Sequence, residues 1–142
     1  MARKRNKKSA GSFWFEGDIK KFALENELYR KVVFTGSHSQ LVVMNISKGE
    51  ETENEQKDAD AMVFIIKGKG KSVLEGRSHD VAKHDLVFVP TGRTHSLVNS
   101  GQRALKVIVV YSPPGFAEGE LQQTRDELSR EKEQALKRAW EQ

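Results

Sequence analysis

Four histidines and no cysteine define the side-chain chemistry open to this 142-residue chain. Without thiols it forms no disulfide, carries no thiolate nucleophile, and holds neither thiolate-bound zinc nor a cysteine-ligated iron–sulfur cluster. His38, His79 and His84 stand in polar turn contexts, where a surface imidazole is ordinary. His95 is different, because it lies inside the stretch HDLVFVPTGRTHSLVN at residues 84–99. There Leu86-Val87-Phe88-Val89 reads as a strand, and Pro90 closes it because proline cannot donate to a sheet ladder. Thr91-Gly92 makes a tight turn, and Thr94 through Asn99 reads as the antiparallel return strand. Two strands then fix the direction of the His95 ring. An imidazole with an ordinary pKa near about 6.5 can pass a proton or ligate a metal. The structural alternative is a turn residue whose ring is satisfied by Asn99 or by a backbone carbonyl.

Other chemistries lack their residues. A Ser–His–Asp arrangement needs Ser96 or Ser39 aligned by the fold, and nothing in the spacing provides it. Gly68-Lys69-Gly70-Lys71 is too short for a P-loop. No zinc-finger or helix-turn-helix pattern occurs.

The elements that must position His95 are mostly strands. Asp18 is a helix N-cap, followed by Ile19, Phe22 and Ala23 on one face of a short helix ending near Asn26. Strands are expected over 29–35, 40–47, 61–66, 71–75, 78–82 and 104–111, with Gly76-Arg77 as a hairpin turn. The polar block EETENEQKDAD at 50–60 reads as a surface loop. Met44, Phe64 and Phe88 read as wall or core. Phe13-Trp14-Phe15 reads as an edge strand or as an anchor against the body or a second subunit. Residues 120–142 switch to helical composition, with Leu121, Leu128, Leu136 and Trp140 as a thin apolar seam. Short strands, glycine turns and no strand–helix alternation indicate an all-β barrel or sandwich with helical decorations.

The formal net charge is +4. Arg3, Lys4, Arg5, Lys7 and Lys8 account for it, leaving 19 basic against 20 acidic side chains over residues 9–142, a net of −1. The basicity is therefore a tail. A solvated arm is the first reading, and contact with nucleic acid or acidic lipid through residues 3–8 is the second. The longest apolar run falls far short of the ~18 residues that indicate a membrane span. The basic N-terminus leads into polar residues, so no secretory signal is expected and the expected location is cytoplasmic.

Over roughly residues 40–111 the sequence resembles the cupin superfamily, in particular small single-domain cupins. Their second motif, G-x5-P-x-G-x2-H-x3-N, is matched by Pro90, Gly92, His95 and Asn99, with His84 in place of the first glycine. Histidine must make that turn without glycine's freedom at positive φ. Their first motif, G-x5-H-x-H-x3/4-E-x6-G, aligns on Gly49 and Gly68. It then puts Glu55 and Lys57 at the histidine positions and Ala61 at the glutamate, whereas the longer gap puts Asn54 and Gln56 there.

The resemblance implies a double-stranded β-helix (jelly-roll) barrel with a short N-terminal helix and a C-terminal helix. Residues 1–12 would be a basic flexible arm, 13–117 the barrel with its N-terminal elements, and 118–142 the C-terminal helix. It also implies that His95 is a catalytic or ligating group at the barrel mouth. The family's metal is commonly held by three histidines and a glutamate, of which His95 alone survives here. A divalent transition metal on His95 with Glu55 and Glu53 would be a poor site, since a lysine ammonium and an alanine offer it nothing.

The leading expectation is a small-molecule binding or sensing domain that lacks the usual metal site. The first alternative is a divergent metal-dependent enzyme, dioxygenase- or isomerase-like, acting on a small polar metabolite. The second is an oligomeric structural protein with a nucleic-acid-contacting arm. A homodimer is expected, with Phe13-Trp14-Phe15 at the contact.

Overall fold

The structure, a computed structural model, describes residues 13–53, 55–56, 58–116 and 118–124. The basic arm and most of the expected C-terminal helix, with Leu128, Leu136 and Trp140, lie outside the described residues.

Helix α1 (Ile19–Glu25) begins where Asp18 Oδ1 accepts from the Lys21 N–H at 3.2 Å. It ends at Asn26, whose side-chain amide turns back to the Leu28 carbonyl at 2.8 Å. Ten strands follow: β1 (Arg30–Thr35), β2 (Gln40–Ile46), β3 (Glu55–Gln56), β4 (Asp60–Lys67), β5 (Lys69–Leu74), β6 (Arg77–Ala82), β7 (Leu86–Val89), β8 (Thr94–Val98), β9 (Leu105–Ser112) and β10 (Leu121–Gln122). They form a six-stranded sheet in the order β10-β1-β2-β9-β4-β7 and a four-stranded sheet in the order β3-β8-β5-β6.

The two sheets face each other around one core. Val42, Met44, Ile46, Val63, Ile65, Leu105, Val107 and Val109 point inward from the large sheet and meet Val81 and Leu97 of the small one. A second cluster lies on the outer face of the large sheet, where α1 covers Val33, Val43 and Ile108 with Phe22 and Ala23. Strand β2 is therefore buried on both faces, which is why its apolar run is nearly continuous. At the β4–β7 edge this outer cluster reaches Ile66 of β4. Phe64, Leu86 and Phe88 are left exposed there, so Phe64 and Phe88 are not core as their composition implied.

Three expectations are corrected. The first is the closed barrel: every registered strand pairing among the described residues stays within one of the two sheets. The molecule is a pair of facing sheets linked by turns, with β7 and β10 as the edges of the larger one. The second is the hairpin at 84–99. Strand β7 pairs with β4 and β8 pairs with β5, so the two lie in different sheets. Pro90 removes a ladder donor, and Asp60 Oδ1 accepts from both the N–H and the hydroxyl of Thr91, at 2.8 and 2.9 Å. That clamp swings the chain across from one sheet to the other. The third is the second helix, since α1 is the one helix among the described residues. Leu121-Gln122, assigned to helix on composition, instead pairs with Lys31 and Arg30 at the open edge of β1. Tertiary pairing overrides weak local propensity there.

Smaller details follow the sequence. The β5–β6 hairpin turns on Glu75-Gly76, both at positive φ, one residue earlier than expected. His84 does occupy the left-handed region at φ 80°, held by its N–H to the Ile65 carbonyl at 2.9 Å. Phe15 is tied to the body by ring contacts with Phe22 and Phe34, whereas Phe13 and Trp14 are exposed. Among the described residues no helix is long and apolar enough to cross a membrane.

Candidate functional site

A cavity opens between the sheets, and inward-facing side chains of both build it. Its enclosed part is small, about 70 Å³, and it widens into an open mouth. The large sheet contributes Met44, Ala61, Val63, Val89, Val107, Val109 and Tyr111, all on the inward phase of their strands. The small sheet contributes His95 and Leu97 from β8. Arg30, Thr52, Glu53 and Arg93 add polar groups.

His95 reaches this cavity because β8 turns its odd-numbered residues inward, with Leu97 fully in the core. Its Nε2 lies 3.0 Å from Ser72 Oγ on the adjacent strand β5. One ring nitrogen is therefore engaged by Ser72, and Asn99 is engaged elsewhere. Burial pushes the His95 pKa below its ordinary value, favouring neutral imidazole. With the folded pKa depressed, the unfolded chain takes up the proton first. This contribution to stability is complete above the unfolded value of about 6.5 and is lost as pH falls toward the folded value. His95→Gln should thus show a smaller drop in urea midpoint between about pH 7.5 and about pH 5.5 than the parent chain. An equal drop would place the acid sensitivity in other groups.

Glu53 lines the same cavity. The β3–β8 register sets the backbone of Glu55 directly opposite His95, and Lys57 and Asn54 lie outside the described residues. Gly92, at φ 83°, makes the crossing turn that the motif requires of it. Sequence reasoning missed Arg30 and Ser72. Arg30 had a readable signal, because it sits two residues before Val32 and so shares that residue's inward phase.

These features define a cupin fold, and comparison with known proteins agrees. A family model described as Cupin domain matches residues 42–111. An uncharacterised protein of Acanthamoeba polyphaga mimivirus, L612, is 32% identical over 111 residues, covering 73% of this chain and 68% of that one. The uncharacterised protein YrkC of Bacillus subtilis is 29% identical over 119 residues, covering 78% of this chain. The match spans 63% of the length of YrkC, less than two thirds. The crystal structure of BH2720 from Bacillus halodurans superposes with a TM-score of 0.81 at 25% identity, covering 84% of this chain and 96% of that one. The chain belongs to the cupin superfamily.

The metal common in that superfamily is not matched by the described residues. Among them no three His, Cys, Asp or Glu side chains converge on one point. The Nε2 of His95 is occupied by Ser72, and two guanidinium groups share the cavity wall. Fixed positive charge repels a divalent cation. This donor set does not fit a tightly held transition metal.

Proposed function

We propose that this cupin domain binds a small organic molecule between its sheets and serves as a binding or sensing module. The observation that supports this reading is the lining of the cavity. A largely apolar wall from both sheets surrounds a few convergent polar groups, Arg30, Thr52, Glu53, Arg93 and His95, which is the usual make-up of a ligand site. His95 is the group in this set able to exchange a proton near neutral pH, so any chemistry on the ligand would pass through it. The same proposal includes a homodimer. Phe13 and Trp14 project from the body, and exposed aromatics of this kind favour a protein contact.

Native mass spectrometry with elemental analysis tests both parts on the untagged full chain and on His95→Ala. The expected result is a dimeric mass without stoichiometric metal in either form, even after incubation with iron, manganese, nickel and zinc. Near-stoichiometric metal that disappears in His95→Ala would overturn the binding-module reading and make Glu53 and Glu55 its next ligands to test. A monomeric mass at micromolar concentration would remove the dimer.

A further inference from the structure

Among the described residues, the buried guanidinium of Arg30 has no counter-charge. The residue is 5% exposed. Its Nη1 donates to the neutral amide oxygen of Gln122 at 2.7 Å, and its Nε finds no hydrogen-bond partner. The rings of Tyr29 and Phe116 lie 5.2 and 4.2 Å from its central carbon, stacking a cation they cannot neutralise. Every ion pair among the described residues is made by another cation, including Arg93 with Glu75 at 3.5 Å.

A guanidinium stays protonated at any physiological pH and presents five donors in a planar fork. Burying such a charge without an anion is costly. Arg30 nevertheless lines the cavity, among Met44, Val107, Val109 and Tyr111. From this geometry we infer that the cavity takes a small organic monocarboxylate, with the carboxylate on Arg30 and an apolar body against the β2–β9–β4 wall. The inference rests on the binding reading above and names its ligand class. A single negative charge is the match, since Arg93 is already paired with Glu75 at 3.5 Å and Arg30 is the guanidinium of the lining that makes no ion pair among the described residues. The apolar wall selects an organic body over an inorganic anion.

The test is a matched set of probes on the full chain, followed by calorimetry and thermal shift. Hexanoate and phenylacetate are compared with their neutral amides and with inorganic phosphate. The carboxylates should raise the melting temperature through mass action, while the amides and phosphate bind about tenfold more weakly or not at all. That is the scale of one lost charge-assisted hydrogen bond.

Arg30→Met should fold, since an apolar side chain replaces an unpaired buried charge, and should lose the preference for carboxylate over amide. If it fails to fold, Arg30→Lys serves instead. It keeps the charge without the fork, so carboxylate binding should weaken while amide binding holds. Amides binding as tightly as carboxylates, or a preference that survives in Arg30→Met, would overturn the inference and leave the binding module standing. Failure of every probe would also overturn it. A metal found on His95 would remove the underlying reading instead.

Discussion

Gly70→Ala should lower the melting temperature by about 12 °C, equivalent to roughly 3 kcal/mol for a domain of this size. Gly70 lies in β5 where that strand runs closest to the end of β8 and to the large sheet. A methyl group there would collide with the carbonyl oxygen of Val98 and stand 2.9 Å from Leu105 Cδ2. Backbone cannot yield as a side-chain tip does, and Leu105 is fully buried. Relief therefore requires moving β5 from β8, or the small sheet from the large one. Gly115→Ala is the control, because a methyl group there meets nothing within 4 Å. Differential scanning calorimetry of the two variants decides the matter. If Gly70→Ala melts within about 2 °C of the parent, the two sheets are not held at the close spacing described.

Asn99→Ala should cost about 3 kcal/mol, the second-largest effect, read as a fall in the urea midpoint at unchanged slope. Asn99 is 3% exposed and uses its amide fully. Its Nδ2 donates to the carbonyls of Ile46 at 2.9 Å and Arg103 at 2.8 Å, while its Oδ1 accepts from the Gly101 N–H at 3.0 Å. One side chain thus ties the end of β2 to the β8–β9 turn. Alanine would leave a buried donor and two carbonyls short of partners, and that desolvation, more than the lost bonds, sets the size of the effect. Asn99→Asp should be as harmful, since it keeps the acceptor but removes both donors. A loss below about 1 kcal/mol in Asn99→Ala would mean that water replaces the amide easily. The motif asparagine therefore acts on the frame of the fold, one strand-end away from the imidazole it accompanies in sequence.

Most of the strands were legible because their residues repeat with a period of two and end at glycine, proline or polar pairs. Leu86–Val89 was read to the residue, and Arg30–Thr35, Gln40–Ile46 and Leu105–Ser112 to within one. Strands β3 and β10 were not legible. Each is two residues long and exists only because a partner edge is there to pair with it. The assignment of β7 and β8 to different sheets was equally hidden. A four-residue turn at Pro90–Arg93 suits a hairpin as well as a crossing, and Asp60, thirty-one residues away, decides between them. At the site, the motif placed His95 on the cavity wall, but its partner Ser72 comes from a strand that the motif does not include. Arg30 lies before the matched region altogether, where the motif gives no guidance and only its shared phase with Val32 points inward.

Strand β10 also ties together distant parts of the chain. Arg30 meets Gln122 across 92 residues of sequence, and the N–H groups of Tyr29 and Val32 donate to Gln123 and Glu120. The cover over this guanidinium therefore depends on closing a long loop of chain, whereas the β5–β6 hairpin closes over two residues.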